Sequence, residues 1–169
     1  CNVGGGILGY AQFPGGSAAT DGVVCDYRYV GDMGTATAPF DLGRTATHEV
    51  GHWLNLYHIW GDGNCNQDDQ VSDTPNSDAA NFGCATGHQS CSSTDMVQNY
   101  MDYSDDKCQN LFTHDQVAQM RSNLRMFRNS IYDEQIEPLP LPEIPDPMIA
   151  QTGVYPNPVV GDKLSVYIK

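Results

Sequence analysis

The stretch HEVGH, His48 to His52, sets two histidines four residues apart with a glutamate directly after the first. In a helix, positions four apart share one face, so His48 and His52 can offer two imidazoles to a single ion. Glu49 then points slightly aside, close enough to hold a water at that ion without ligating it. This is the arrangement in which a metal such as zinc acidifies water and a carboxylate takes the proton. The five-residue pattern also occurs in helices that bind nothing, so a third ligand has to carry the reading.

His58 is the candidate. It stands too far round a continuing helix to meet the same ion and reaches it only if the chain turns sharply after His52. Such a turn needs a left-handed residue. Asn55 lies in the interval, and after glycine asparagine most readily adopts a positive φ. The plainer alternative is a loop histidine beside Tyr57 and Trp60. The expectation is that Asn55 turns the chain and that His48, His52 and His58 share one ion.

A chain of 169 residues suffices for one catalytic domain with a real core. Eight Lys and Arg against 21 Asp and Glu give a formal charge of −13. That disfavours nucleic acid and anionic membrane surfaces as partners and suits bound cations or cationic substrates; a solvated acidic surface is the bland alternative. No transmembrane run, initiator methionine or signal peptide is present, so the chain is expected to be a piece of a longer precursor. The six cysteines allow 15 pairings. Four of them, Cys65, Cys84, Cys91 and Cys108, lie in a segment rich in Asn, Asp, Ser, Thr and Gly. Such a segment cannot order itself by burying apolar surface, so crosslinks and an oxidising, exported setting are expected. None of the four is spaced CxxC, which argues against a zinc-thiolate site. Cys1 and Cys25 pair with each other if their strands are neighbours, and that stays open.

Residues 7 to 13, ILGYAQF, form a short edge strand ended by Pro14, and Gly22 to Val30 form a second strand. A helix follows through the histidine motif, capped by Thr45 or Thr47 and stopping near Asn55. Residues 61 to 110 show no sustained period; so long a loop is functional or held by disulfides and ions. Thr113 and Gln116 make a capping box for a helix over 113–131. Its Val117, Met120, Leu124, Phe127 and Ile131 recur at helical spacing as core residues. The segment Glu137 to Pro147 is too rich in proline for helix or central strand and reads as an extended linker.

With these residues in view, the chain resembles the metzincin clan of zinc endopeptidases. The clan motif HExxHxxGxxH is matched by His48, Glu49, His52, Asn55 and His58, with asparagine in place of glycine. In NYMDYSDD, Met101 looks like the methionine of the tight turn beneath the metal, and Tyr103 like the tyrosine that approaches it. Within the clan the closest likeness is to the pappalysins, through HEVGHWLNLYHIWGD, VSDTPNS, FGC, CSSTDMVQNYMDYSDDKCQNLFTHDQ and GGGILGYAQFP, which together cover most of residues 4 to 131.

The resemblance implies an α/β (α+β) catalytic domain over residues 1–133. It would have a twisted mixed sheet above the active-site helix, Ile7 to Phe13 as the edge strand pairing with substrate, and a C-terminal helix. It also implies disulfides Cys65–Cys91 and Cys84–Cys108. The acidic loop Asn66 to Pro75 is by composition either a calcium site or a solvated loop. The resemblance favours calcium, with Asp69 and Thr74 as its foremost ligands and Asp68, Ser72 and Asp73 as further candidates. Cleavage before arginine or lysine is likewise implied, with Asp105 or Asp106 in the primed-side pocket, although Lys107 stands beside them. After a linker over 134–152, the segment 153–169, with its YPNP element and alternating strand, resembles the start of a C-terminal sorting domain of the type IX secretion system of Bacteroidetes-type bacteria.

The expected function is therefore a secreted or cell-surface zinc endopeptidase, exported across a bacterial outer membrane by the type IX machinery and acting on proteins or peptides. His48, His52 and His58 would hold one Zn2+, Glu49 would serve as general base and Tyr103 would stabilise the oxyanion. The alternative from another class is a secreted binding or adhesion module that retains a structural zinc. A closed zinc site wants a fourth protein ligand, and the motif offers three.

Overall fold

The structure, a computed structural model, describes residues 1–132. The linker 134–152 and the sorting-domain segment 153–169 lie outside the described residues.

Strand β1 (Gly9–Ala11) pairs antiparallel with β2 (Val23–Cys25), Tyr10 opposite Val24, and both pack on helix α1 (Arg44–Trp53). Both strands are shorter than the sequence patterns suggest, for local reasons. Gly4, Gly5 and Gly6 all have positive φ, and the Ile7 N–H closes a turn onto the Gly4 carbonyl at 3.2 Å. On the other strand, the buried Asp26 accepts the Arg28 N–H at 3.0 Å and starts a single 3-10 turn, Tyr27–Tyr29, in place of extended chain. The Arg28 guanidinium, bonded to both carboxylate oxygens, holds Asp26 well below the usual carboxylate range.

Helix α1 is not capped by Thr45 or Thr47, both of which lie inside it. Its N-cap is Gly43, at φ 77°, which has no side chain to cap with. The cap comes instead from Asp106, whose Oδ2 accepts the N–H groups of Leu42 and Arg44 at 2.8 and 3.1 Å. A carboxylate there also meets the positive end of the helix dipole.

At its other end α1 closes with a left-handed residue just past the cap. Asn55, at φ 74°, donates its N–H to His52 O at 2.9 Å, and Leu56 N–H reaches back to Gly51 O at 2.9 Å. These two bonds make a Schellman motif and absorb carbonyls that the helix end would leave unpaired. Leu56 is drawn fully into the core beside Ile59, Trp60 and Met101, with Ala80, Met96, Phe112 and Met120 packed around them.

Residues 61 to 110 are turns apart from the small hairpin of β3 (Gln89–Ser90) and β4 (Ser93–Thr94). Disulfides Cys65–Cys91 and Cys84–Cys108 cross the segment as expected, while Cys1 and Cys25 are unbonded. The rest of its order is polar. Asp95, 2% exposed, accepts from the Ser90 N–H and hydroxyl, from His88 Nδ1 and from Asn81 Nδ2.

Helix α2 (His114–Phe127) carries the expected Thr113–Gln116 capping box. Val117, Met120 and Leu124 are half-buried, but Phe127 and Ile131 are 50% and 62% exposed, which corrects the core reading of those two. The spacing breaks at Arg128, which leaves helical geometry at φ −134° and turns inward. Its guanidinium lies 4.0 Å from the Trp53 ring and 2.6 Å from Asp21, tying α2 to α1 and to the β1–β2 connection.

The class is thus mixed α and β, as expected. The sheet expected to be mixed is antiparallel in both described pairs, with one parallel bridge between Asn99 and Leu111.

Candidate active site and metal centre

The turn at Asn55 brings His58 back to the face of α1 that carries His48 and His52. His58 Nε2 lies 3.0 Å from His52 Nε2 and 3.3 Å from His48 Nε2. Each ring is oriented by an acceptor at its other nitrogen. His48 Nδ1 donates to Tyr100 O at 2.7 Å, His52 Nδ1 to Leu56 O at 2.8 Å, and His58 Nδ1 to Asp62 Oδ1 at 2.5 Å.

With the protons on Nδ1, all three Nε2 atoms present bare lone pairs to one point. Three lone pairs this close repel unless a cation sits among them, and imidazole nitrogen is a donor that zinc favours. Burial, reinforced by the neighbouring histidines, pushes His48 down to about 3 and His52 down to about 4, so neither carries a proton on Nε2 near neutrality. The residues present therefore fit a zinc ion. A second grouping, Asp73, His114 and Asp115, is mostly exposed, and its carboxylates already accept from Ser72 Oγ and from the Asp115 N–H.

Glu49 is 6% exposed, and burial pushes its carboxyl up to about 7; a cation at the histidines would pull it down again. Strand β1 lies directly against it. A Cβ on Gly9 would stand 2.9 Å from Glu49 Cγ and 2.9 Å from the Val24 carbonyl, so only glycine lets the strand approach this closely.

Beneath the histidines, a Cβ on Gly51 would fall inside the Met101 sulfur. The methionine turn is held from the far side. The Met101 N–H donates to Asn99 Oδ1 at 2.9 Å, and Asn99 Nδ2 donates to Gln116 Oε1 at 2.8 Å. Gln116 also belongs to the capping box of α2, so the start of that helix fixes the turn whose Tyr100 carbonyl orients His48.

Tyr103 borders the cluster, its ring centroid 4.8 Å from that of His58 and 5.7 Å from that of His48. It is 41% exposed, and burial, with Asp62 and Glu49 nearby, raises its hydroxyl so that it remains a donor.

The two candidate specificity residues separate. Asp106 is 2% exposed and committed to the start of α1, which removes it from any open pocket. Asp105 is half-buried, 3.4 Å from Lys107 Nζ. The five candidate calcium ligands separate as well. Asp69 Oδ1 accepts the Val71 N–H and the Thr74 hydroxyl, whereas Asp69 Oδ2 is buried with no partner among the described residues. Asp68 is exposed and closes a turn onto Gln70. Ser72 and Asp73 face the first turn of α2 through Asp115.

Sequence reasoning missed Gly9, Asp62 and the cap from Asp106. For Gly51 a signal existed, since a glycine inside a helix costs stability unless something must pack against it.

The constellation is a helical His-Glu-xx-His pair with a further histidine delivered by a turn. A family model described as Pregnancy-associated plasma protein-A matches residues 5–125, and the chain belongs to this family, the pappalysins. It is similar to Extracellular metalloprotease 1 of Coccidioides posadasii, with 45% identity over 132 residues, 73% of this chain and 47% of that protein. An extracellular metalloprotease of Pyricularia oryzae is 46% identical over 134 residues, 75% of this chain and 47% of that protein. Among solved structures, mature mirolysin of Tannerella forsythia, in complex with a cleaved peptide, matches with TM-score 0.69 and 44% identity. That match covers 79% of this chain and 57% of mirolysin. The chain spans about half the length of the curated relatives it matches.

Proposed function

We propose that this chain carries the catalytic centre of a secreted zinc endopeptidase. The observation that supports it most is the convergence of three Nε2 lone pairs, each fixed by an acceptor behind its ring, beside the buried Glu49. Zinc held by His48, His52 and His58 would supply a Lewis acid and an acidified water. Glu49 takes the proton from the attacking water and passes it to the leaving amine. Tyr103, still protonated, donates a hydrogen bond to the carbonyl oxygen as its charge grows. The edge of β1 that faces away from β2 pairs with no described strand and can hold an extended peptide by backbone hydrogen bonds.

Mirolysin in its cleaved-peptide complex and the two extracellular metalloproteases support this reading. The two disulfides support an oxidising compartment. A binding module with a closed structural zinc is less well supported, because the cluster gathers three histidines and no fourth ligand among the described residues. Export by type IX machinery rests on the sequence of 153–169 alone.

Calcium is proposed at Asp69, whose buried Oδ2 has no partner among the described residues and is the kind of hard oxygen donor that calcium takes. Thr74 lies beside it; Asp68, Ser72 and Asp73 have less claim. A preference for a basic residue after the cleaved bond rests on Asp105.

The test is proteolysis of a peptide with one internal arginine. Cleavage before the arginine is expected, lost with a chelator and restored by zinc alone, while added calcium raises the melting temperature of the zinc-loaded chain. A chain that cleaves equally well in excess chelator is not a zinc peptidase.

A further inference from the structure

Two of the three histidines are oriented by backbone carbonyls, but the third is oriented by a side-chain carboxylate. His58 Nδ1 lies 2.5 Å from Asp62 Oδ1, and the Asp62 side chain has no other hydrogen-bond partner among the described residues. The chain is bent to achieve this. Gly61 N–H donates to His58 O at 2.8 Å, and Gly61 and Asp62 both take left-handed backbone, at φ 60° and 56°. The bend is pressed against the acidic loop, since a Cβ on Gly61 would stand 2.7 Å from the Asp68 backbone. Strained non-glycine backbone held by its surroundings marks a position with a task. Here the strain delivers one carboxylate to one imidazole.

We infer that Asp62 is a positioning residue for the metal: it fixes the Nδ1–H tautomer of His58, aims Nε2 at the shared point and adds a negative charge behind the ligand. This rests on the zinc-peptidase reading and goes beyond it, because His58 is the only ligand of the three outside helix α1. Its ring has no helix to hold it. It stacks on Trp60, with centroids 4.3 Å apart, which limits tilt but leaves the ring free to rotate in its own plane. Asp62 removes that freedom. A carboxylate bonded to a ligand imidazole also makes the nitrogen a stronger donor, and loss of such a partner weakens metal binding by about 10–100-fold.

The experiment is a zinc titration of the chain against a chelating dye, with D62G and D62N compared with wild type. Glycine accepts the left-handed backbone and removes the side chain. Asparagine also tolerates that backbone and keeps an acceptor, but removes the charge. D62G is expected to bind zinc about 10–100-fold more weakly, with D62N between it and wild type. Because the Asp62 side chain is 58% exposed, the metal-free melting temperatures should stay together. Cobalt placed in the site should show a changed visible absorption band in D62G, which a purely structural role would not produce. Equal zinc affinity for D62G and wild type, with wild type binding one zinc, overturns the role of Asp62 alone. A wild-type chain that takes up no zinc overturns the metal reading as well.

Discussion

Replacing Glu49 by glutamine is expected to lower peptide hydrolysis by about 10²–10⁴-fold and to leave one zinc bound. The side chain is almost fully buried between α1 and the β1–β2 pair, where Gly9 leaves it room and no described residue donates a hydrogen bond to its carboxylate. An isosteric amide therefore fits the same space, and the fold has little reason to change. The three Nε2 donors are untouched, since none of their orienting acceptors involves Glu49. What disappears is the group able to take a proton and return it. Turnover of the arginine peptide and metal content, measured on the same preparation, check both halves. Wild-type turnover by E49Q would assign the base elsewhere.

The second large effect is expected at Gly51. A side chain there meets the Met101 sulfur, and Met101 is fully buried beneath the histidines. Gly51→Val must therefore move either α1 or the methionine turn. Overpacking of this kind costs about 1–3 kcal/mol, or about 2–4 °C in melting temperature per kcal/mol for a chain of this size. The damage is directed at the site, because the turn that would shift supplies the Tyr100 carbonyl that holds His48. Zinc affinity should fall together with stability. Met101→Ala in the same chain opens the space again, so the double variant should be more stable than the sum of the single changes predicts. Strict additivity in thermal melts would show that Gly51 and Met101 are not coupled.

The helices, the capping box of α2 and the turn at Asn55 were legible because each depends on neighbours in the sequence. Asparagine at the end of an amphipathic helix takes the left-handed C′ conformation more readily than any other side-chain-bearing residue, and the Schellman bonds of Asn55 and Leu56 follow from it. The start of α1 is hidden in the sequence for the opposite reason. Its cap comes from Asp106, which no local pattern connects to Leu42 and Arg44. The second strand is shorter than its pattern because β-branched and aromatic residues in Gly22 to Val30 suit a strand, while one buried aspartate redirects the chain at residue 26. On α2, spacing alone made Phe127 and Ile131 look like core, and the inward pull on Arg128 from Asp21 and Trp53 cannot be seen in a helical period.

At the site, the three histidines and Glu49 are visible in the motif, but what aims them is not. Two of the three orienting groups are backbone carbonyls, which carry no sequence signal. The third, Asp62, becomes visible only when the bend at Gly61 and Asp62 is known.

Zinc-edge X-ray absorption of the zinc-loaded chain reads directly whether the three histidines share one ion. The geometry predicts three imidazole nitrogens at about 2.0–2.1 Å and one oxygen ligand, with outer-shell scattering from three rings and no sulfur in the first shell. Replacing His58 by alanine should remove one ring from that signal. A first shell with only two imidazoles, or with sulfur at about 2.3 Å, would rule out a three-histidine zinc site.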